Sequence, residues 1–231
     1  LPDDRRNLTS GLFSNGEAFT NTLNQFLGGN LITFTEDFAI IDEDRKMLYK
    51  HVIPSVNEAS RPVDIFNPAI PEIMLTGITP VCNKLEKWNM LSVVNWSNQP
   101  KNYEIALDNK ITGDLTGEKF LVFDFQKQKI LSLLSKGEMI MTGSIEGHHS
   151  MLMKIVPWDG RSPLFIGTDL NFACGGLEIT DINIENGRIS GRIDTPWHIP
   201  VTLSFWIPVN RSFEMVQLEI SPGQRNFYLD Y

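Results

Sequence analysis

The chain has 231 residues, 42% of them hydrophobic and 21% charged, which suits an ordinary globular chain of one large domain or of one domain and part of another. A net charge of -8 and a pI near 5.0, with no Lys/Arg cluster to interrupt it, argue against a nucleic-acid partner, because the phosphate backbone repels an acidic surface. No stretch reaches the roughly 18–20 apolar residues of a membrane-spanning helix, so no membrane partner is expected. With no visible signal peptide and only two cysteines, a cytoplasmic location is the default expectation. The chain begins at Leu1 rather than Met, so a natural N-terminus further upstream, with a removed signal or a whole domain, is also open.

In chain order, the first predicted element is a helix over Glu17–Leu27, where Phe19, Leu23, Phe26 and Leu27 recur at helical spacing and Gly28-Gly29 mark the stop. Leu31–Thr35 reads as a buried strand, rich in β-branched and aromatic residues, that runs into Glu36-Asp37. A second helix starts at Asp42, a good N-cap, with Glu43 and Asp44 at the positive end of its dipole and Lys50 and His51 near its end; Pro54 stops it. Prolines 62, 68, 71 and 80 then punctuate a linker-like stretch. From Trp88 onward strand candidates follow one another: Met90–Trp96, Tyr103–Leu107, Lys119–Phe125, Glu138–Ser144, Ser150–Val156, Leu164–Gly167, Leu177–Ile184, Arg188–Ile193, Val201–Ile207 and Met215–Ile220. Asn186-Gly187 between two apolar runs is the strongest hairpin signal, as a type I′ turn requires. The expected fold is mainly β: an antiparallel β-sandwich over residues 80–231, preceded over residues 1–79 by a helix–strand–helix remnant of a β/α barrel and a linker.

Candidate sites are few. Glu36 and Asp37 sit at the C-terminal end of a predicted strand followed by a helix, where β/α barrels place active-site loops, although a solvated strand end would look the same. His148-His149 lack further ligands at zinc spacing, so no metal is expected, and a strand pair with one imidazole in and one out is the plainer reading. Cys82 and Cys174 form no CxxC pair and read as buried thiols, with one disulfide as the alternative. Trp158 and Trp197 lie next to prolines in loops and are candidates for stacking on a sugar ring, whereas Trp96 and Trp206 fall in strand candidates and read as core. Asn7, Asn95 and Asn210 begin glycosylation sequons, of which Asn95, inside a strand candidate, is a poor acceptor. Gly28-Gly29 and Gly175-Gly176 lack phosphate-loop spacing and read as a helix stop and a turn, and no cofactor is implied.

Several segments, in order, resemble one family. Leu31-Ile32-Thr33-Phe34-Thr35-Glu36-Asp37-Phe38, with the helix Asp42–His51 behind it, resembles the final barrel strand and following helix of α-galactosidases and their raffinose-synthase and seed-imbibition relatives. Arg61-Pro62-Val63-Asp64-Ile65-Phe66 resembles a segment near the end of that barrel, one residue shorter in places. Trp88–Trp96 resembles the first strand of the C-terminal sandwich, which commonly ends in Asn and a polar turn. Gly117–Phe125 and Pro163–Asp169 resemble later strands.

The resemblance implies a retaining α-glycosidase in which one Asp attacks the anomeric carbon and a second serves as acid and then base, such carboxyls lying about 5–5.5 Å apart. In that family both come from earlier barrel strands, which would precede Leu1. Only Asp37 carries over, as a substrate-binding residue bordering the sugar site, with no catalytic residue in this chain. The implied partners are the upstream catalytic barrel and an α-galactoside-type sugar, with the sandwich bracing the barrel. A non-catalytic carbohydrate-binding or scaffold module is the alternative. A complete enzyme would need Glu36, Asp37 and Asp64 or Asp169 to converge in one cleft.

Overall fold

The computed structural model describes residues 13–29, 32, 39, 41–66, 70–185, 187–210 and 212–231. Helix α1 (Asn15–Gly28) opens on a capping box: the Ser14 hydroxyl accepts from the Glu17 amide, and the Ser14 amide donates to the Glu17 carboxylate at 2.7 Å. Gly29 ends it at φ +64. The second helix is α2 (Glu43–Lys46), which tightens into a 3-10 turn over Met47–His51 before Pro54. Asp42 is at its N-cap but makes no side-chain capping bond. Apart from Ile32, the strand expected at 31–35 lies outside the described residues.

The linker-like stretch is not bare. Strands β1 (Arg61–Pro62) and β2 (Ile73–Ile78) pair antiparallel within it, and β2 pairs along its length with β3 (Trp88–Val94). The expected division at residue 80 therefore falls in a connection inside one sheet. Pro71 and Pro80 flank β2, so these prolines bound a strand within the linker-like stretch. After β4 (Lys101–Ala106), the short helix α3 (Asn109–Thr112), β5 (Lys119–Asp124), β6 (Lys129–Ser135), β7 (Met139–Ile145) and β8 (Ser150–Pro157), a six-stranded antiparallel sheet is complete, in the order β1-β2-β3-β8-β5-β6. Strands β4 and β7 pair separately and cover one face of it. The remaining strands are β9 (Leu164–Thr168), β10 (Ile179–Glu185), β11 (Arg188–Ile193), β12 (Val201–Val209), β13 (Ser212–Ile220) and β14 (Asn226–Asp230). They form two three-stranded sheets, β10-β11-β14 and β13-β12-β9. The two-residue connection from Glu185 to Arg188 closes the expected hairpin, with Gly187 at φ +77. The architecture is thus mainly β and antiparallel, with its predicted sandwich divided between two packed units.

Strand alternation decides what each face buries. In β3, β5 and β8 the side chains of Leu91, Val93, Phe120, Val122, Met153 and Ile155 enter the core beneath β4 and β7. Their neighbours Trp88, Met90, Leu121, Phe123, Leu152 and Val156 point the other way, into a core completed by Leu23, Phe26 and Leu27 of α1 and by Ile166, Phe172 and Ala173. Every residue of β3 and β8 is buried. A third core, around Phe165, Ile179, Ile189, Leu203 and Phe205, fills the space between the two smaller sheets.

The N-terminal segment belongs to this packing. The imidazole of His51 stacks on Phe172 at 4.8 Å and meets Phe125 and Phe19 edge-on. Its Nδ1–H donates to the Leu170 carbonyl at 2.6 Å. The Phe172 amide donates to the His51 carbonyl, and Asn171 donates to the Pro54 carbonyl. Burial holds the His51 imidazolium down to about pKa 4, against the helping bond to Leu170. The unfolded chain therefore binds this proton more readily than the folded one, so the stability it contributes is complete above about pH 6.5 and drains away as pH falls toward 4. The full shift corresponds to at most roughly 3 kcal/mol. Urea unfolding between pH 7 and 5 is expected to show this loss in the native chain and a shallower slope in His51→Phe; an unaltered slope in the variant would assign the acid sensitivity to other groups.

Candidate functional site

Asp37 and Glu36, the residues nearest the implied sugar site, lie outside the described residues. The other carboxylates considered for a self-contained site are engaged by backbone in separate places. Asp64 accepts from the Glu72 and Ile73 amides and pins the β1–β2 connection. Asp169 accepts from the Thr202 amide at 2.8 Å, with Lys50 3.8 Å from its other oxygen. Among the described residues no group of His, Cys, Asp and Glu could hold a metal ion. His148 and His149 sit in the β7–β8 turn rather than in a strand. His148, at φ +61, pairs with the Asn98 side chain at 2.7 Å, and His149 lies 3.3 Å from the Ser14 hydroxyl. Both cysteines are buried and free. Asn95 is fully buried, its amide donating to the carbonyls of Gln99, Ile145 and Glu146, so its sequon is closed to a glycan by packing.

The two loop tryptophans stand in different settings. Trp197 is half-buried, and its Nε1–H donates to the Ile53 carbonyl at 2.9 Å, which ties the second β unit to the N-terminal segment. Trp158 follows β8 directly, in the crossing from the large sheet to β9. Its Nε1–H donates to the Ser162 carbonyl at 2.8 Å, and its ring meets Phe213 at 5.0 Å and Trp206 at 6.0 Å in T-shaped contacts. Asp159 fastens the same turn by accepting from the amides of Arg161 and Ser162 and from the Ser162 hydroxyl. Those bonds, led by the hydroxyl, hold its carboxyl down to about pKa 2.

Trp158 lines a cleft of about 550 Å³ at the seam between the large sheet and the second unit. Its apolar lining includes Leu85, Trp88, Val156, Leu164 and Phe165, and charged groups come from Lys84, Glu86, Glu118, Lys119 and Asp159. Lys84 is already paired with Asp181 at 2.8 Å.

Behind this lining is a residue that pattern reading did not single out. Lys154, in the middle of β8, is fully buried on the same sheet face as Trp88. Its Nζ lies 3.4 Å from the centroid of the Trp88 ring and 5.2 Å from that of Phe165, and has no hydrogen-bond acceptor among the described residues. The ammonium rests on aromatic faces, a favourable but partial replacement for water. Burial lowers its pKa to about 8, while Cys174 and Glu178 pull the other way. Both of these neighbours are fully buried: the Cys174 thiol is pushed up to about 11 and the Glu178 carboxyl is also raised, its Oε1 accepting from the Thr168 hydroxyl at 2.5 Å. A lone Lys in the apolar run Met151–Val156 was the only sequence signal for it.

No protein-family model matches the chain, and no curated protein does. In structure it is similar to α-galactosidases over about two thirds of its length. An assigned α-N-acetylgalactosaminidase of Bacillus halodurans aligns at TM-score 0.48 and 19% identity, over 63% of this chain and 33% of that one. α-Galactosidase I of Mortierella vinacea aligns at TM-score 0.48 and 13% identity, over 66% of this chain and 38% of that one. The α-galactosidase of Saccharomyces cerevisiae, in a structure with raffinose, aligns at TM-score 0.46 and 8% identity, over 66% and 46%. The alignment thus spans less than half the length of each neighbour. No helix among the described residues is long and apolar enough to cross a membrane.

Replacing Lys154 with Met tests the cost of the buried ammonium. A buried ammonium with no hydrogen-bond acceptor carries a desolvation cost that an apolar side chain of similar length does not, so Lys154→Met is expected to melt higher at pH 7. In the native chain the folded pKa is the lower one, so the penalty is complete below pH 8 and is relieved as pH rises toward 10.5. A lower melting point for the variant at pH 7 would mean that the ring contacts outweigh desolvation.

Proposed function

We propose that this chain is the C-terminal region of a retaining α-glycosidase of the α-galactosidase type. In this reading the sandwich braces a β/α barrel whose catalytic Asp pair lies upstream of Leu1, and Asp37 borders the sugar. One observation carries the reading: the segments resembling that family, Leu31–Phe38, Arg61–Phe66, Trp88–Trp96, Gly117–Phe125 and Pro163–Asp169, occur in the family's order along most of the chain. The packing of α1 and the 3-10 turn agrees with it. Phe19, Phe26, His51 and Phe172 join the segment before residue 60 to the sandwich in one aromatic cluster, as expected of a sandwich that steadies what precedes it. The chemistry then needs a nucleophile and an acid/base from the barrel, while this region supplies support and one wall of the sugar site.

Hydrolysis of p-nitrophenyl α-D-galactoside by this chain and by the full-length gene product, side by side, tests the reading. Activity is expected only in the longer product; activity in residues 1–231 alone, or in neither, would overturn it. In the active parent, Asp37→Ala is expected to raise KM for the same substrate about tenfold or more, the loss of one charge-assisted hydrogen bond to a sugar hydroxyl. Unchanged KM and kcat would remove Asp37 from the sugar site.

A further inference from the structure

The cleft beside Trp158 has no part in that scheme, and its chemistry is specific enough to name a ligand. We infer that it binds a neutral saccharide, with Trp158 as the stacking surface and Glu86, Glu118 and Lys119 engaging hydroxyl groups. At about 550 Å³ it falls within the usual span of ligand sites, and it lies at the seam between two β units, where such sites tend to form.

Trp158 is held before any ligand arrives. Its indole N–H is committed to Ser162, Phe213 and Trp206 buttress its ring, and the Asp159 turn fixes the loop, yet the residue remains partly exposed toward the cleft it lines. A flat, rigid apolar surface of this kind receives a sugar ring without an ordering cost. The opposite chemistry stands nearby. The carboxylates of Glu86 and Glu118 have no hydrogen-bond or ion-pair partner among the described residues, and they share the cleft with the Lys119 ammonium. An anion would meet carboxylates and a cation would meet lysines, whereas a polyhydroxylated neutral ligand donates to the first and accepts from the second. The rear wall is fixed as well: Trp88 and Phe165, which line the cleft, are the rings against which the unpartnered, fully buried Lys154 ammonium rests. The inference does not depend on the glycosidase reading, since neither Asp37 nor a catalytic pair upstream takes part in it.

Isothermal titration of the chain with raffinose, maltotriose and xylotriose in turn is the test, repeated with Trp158→Ala and with the surface variant Glu118→Gln. At least one sugar is expected to bind with a millimolar or tighter Kd. Trp158→Ala should weaken it tenfold or more, and Glu118→Gln, which leaves the apolar packing intact, about threefold or more. Binding of raffinose, maltotriose or xylotriose that both variants weaken upholds the site, whichever sugar it is and whatever the full-length product hydrolyses. No binding of any of the three, or binding that Glu118→Gln leaves unchanged, would overturn it.

Discussion

Burial of β3 and β8 on both faces is the constraint from which the rest of the molecule follows. A sheet with two apolar faces must be covered twice. Strands β4 and β7, with Ile111 of α3, cover one side, closing over Leu91, Val93 and Val122. Among the described residues no second sheet of equal size covers the other. Helix α1, the turn at His51 and the segment around Phe172 share that task with β9, so that Leu23, Phe26, Trp88, Ile166 and Phe172 belong to one core. The N-terminal segment is thereby part of the sandwich's own interior, and a change of charge at His51 acts on the joint between them.

Double-sided burial also explains which elements were legible in the sequence. Met90–Val94 and Met151–Val156 announce themselves as apolar runs broken only by Ser92 and Lys154, the pattern of strands covered on both faces. Strand β2 is paired along its whole length with β3, but it is six residues between Pro71 and Pro80, and its Thr76-Gly77 step breaks the alternation. Strand β6 alternates weakly, because its edge position leaves Leu133 exposed where a central strand would bury it. Strand β14 reads as Asn-Phe-Tyr-Leu-Asp, too short and polar-ended to stand out without its partner β11. In the second unit the hairpin at 186–187 was plain from its turn chemistry, while the division of the β region into two cores depends on which face each strand presents, a tertiary property.

The site was legible to a smaller degree. Pro157-Trp158-Asp159-Gly160 marks a loop carrying an aromatic ring, and the structure puts that ring in a cleft. Nothing local reveals Glu86 or Glu118 as its neighbours, since they arrive from connections more than 30 residues apart in sequence. Lys154 was hidden for the opposite reason. A single Lys in an apolar strand ordinarily leads its charge out to water along an aliphatic stem. Here both faces of β8 are covered, so the ammonium rests on the Trp88 and Phe165 rings instead.

The turn that follows β9 is fitted closely against it. A Cβ at Gly167 of β9 would stand 2.2 Å from the Cys174 sulfur, and Gly175, at φ +95, would bring one within 2.5 Å of the Phe165 ring. Close approach at these two glycines lets the chain fold back on β9 directly behind the aromatic wall, with Cys174 and Glu178 beside Lys154. A cleft between two loosely joined units would change shape as they moved. This one is bounded by strands whose backs are locked together, with the Trp158 turn tied down by Asp159 and Ser162. The burial that forces a lysine onto the Trp88 and Phe165 rings therefore also keeps the rear wall of the cleft in place behind the partly exposed Trp158, and a binding surface that needs no rearrangement to receive a ligand is the physical result.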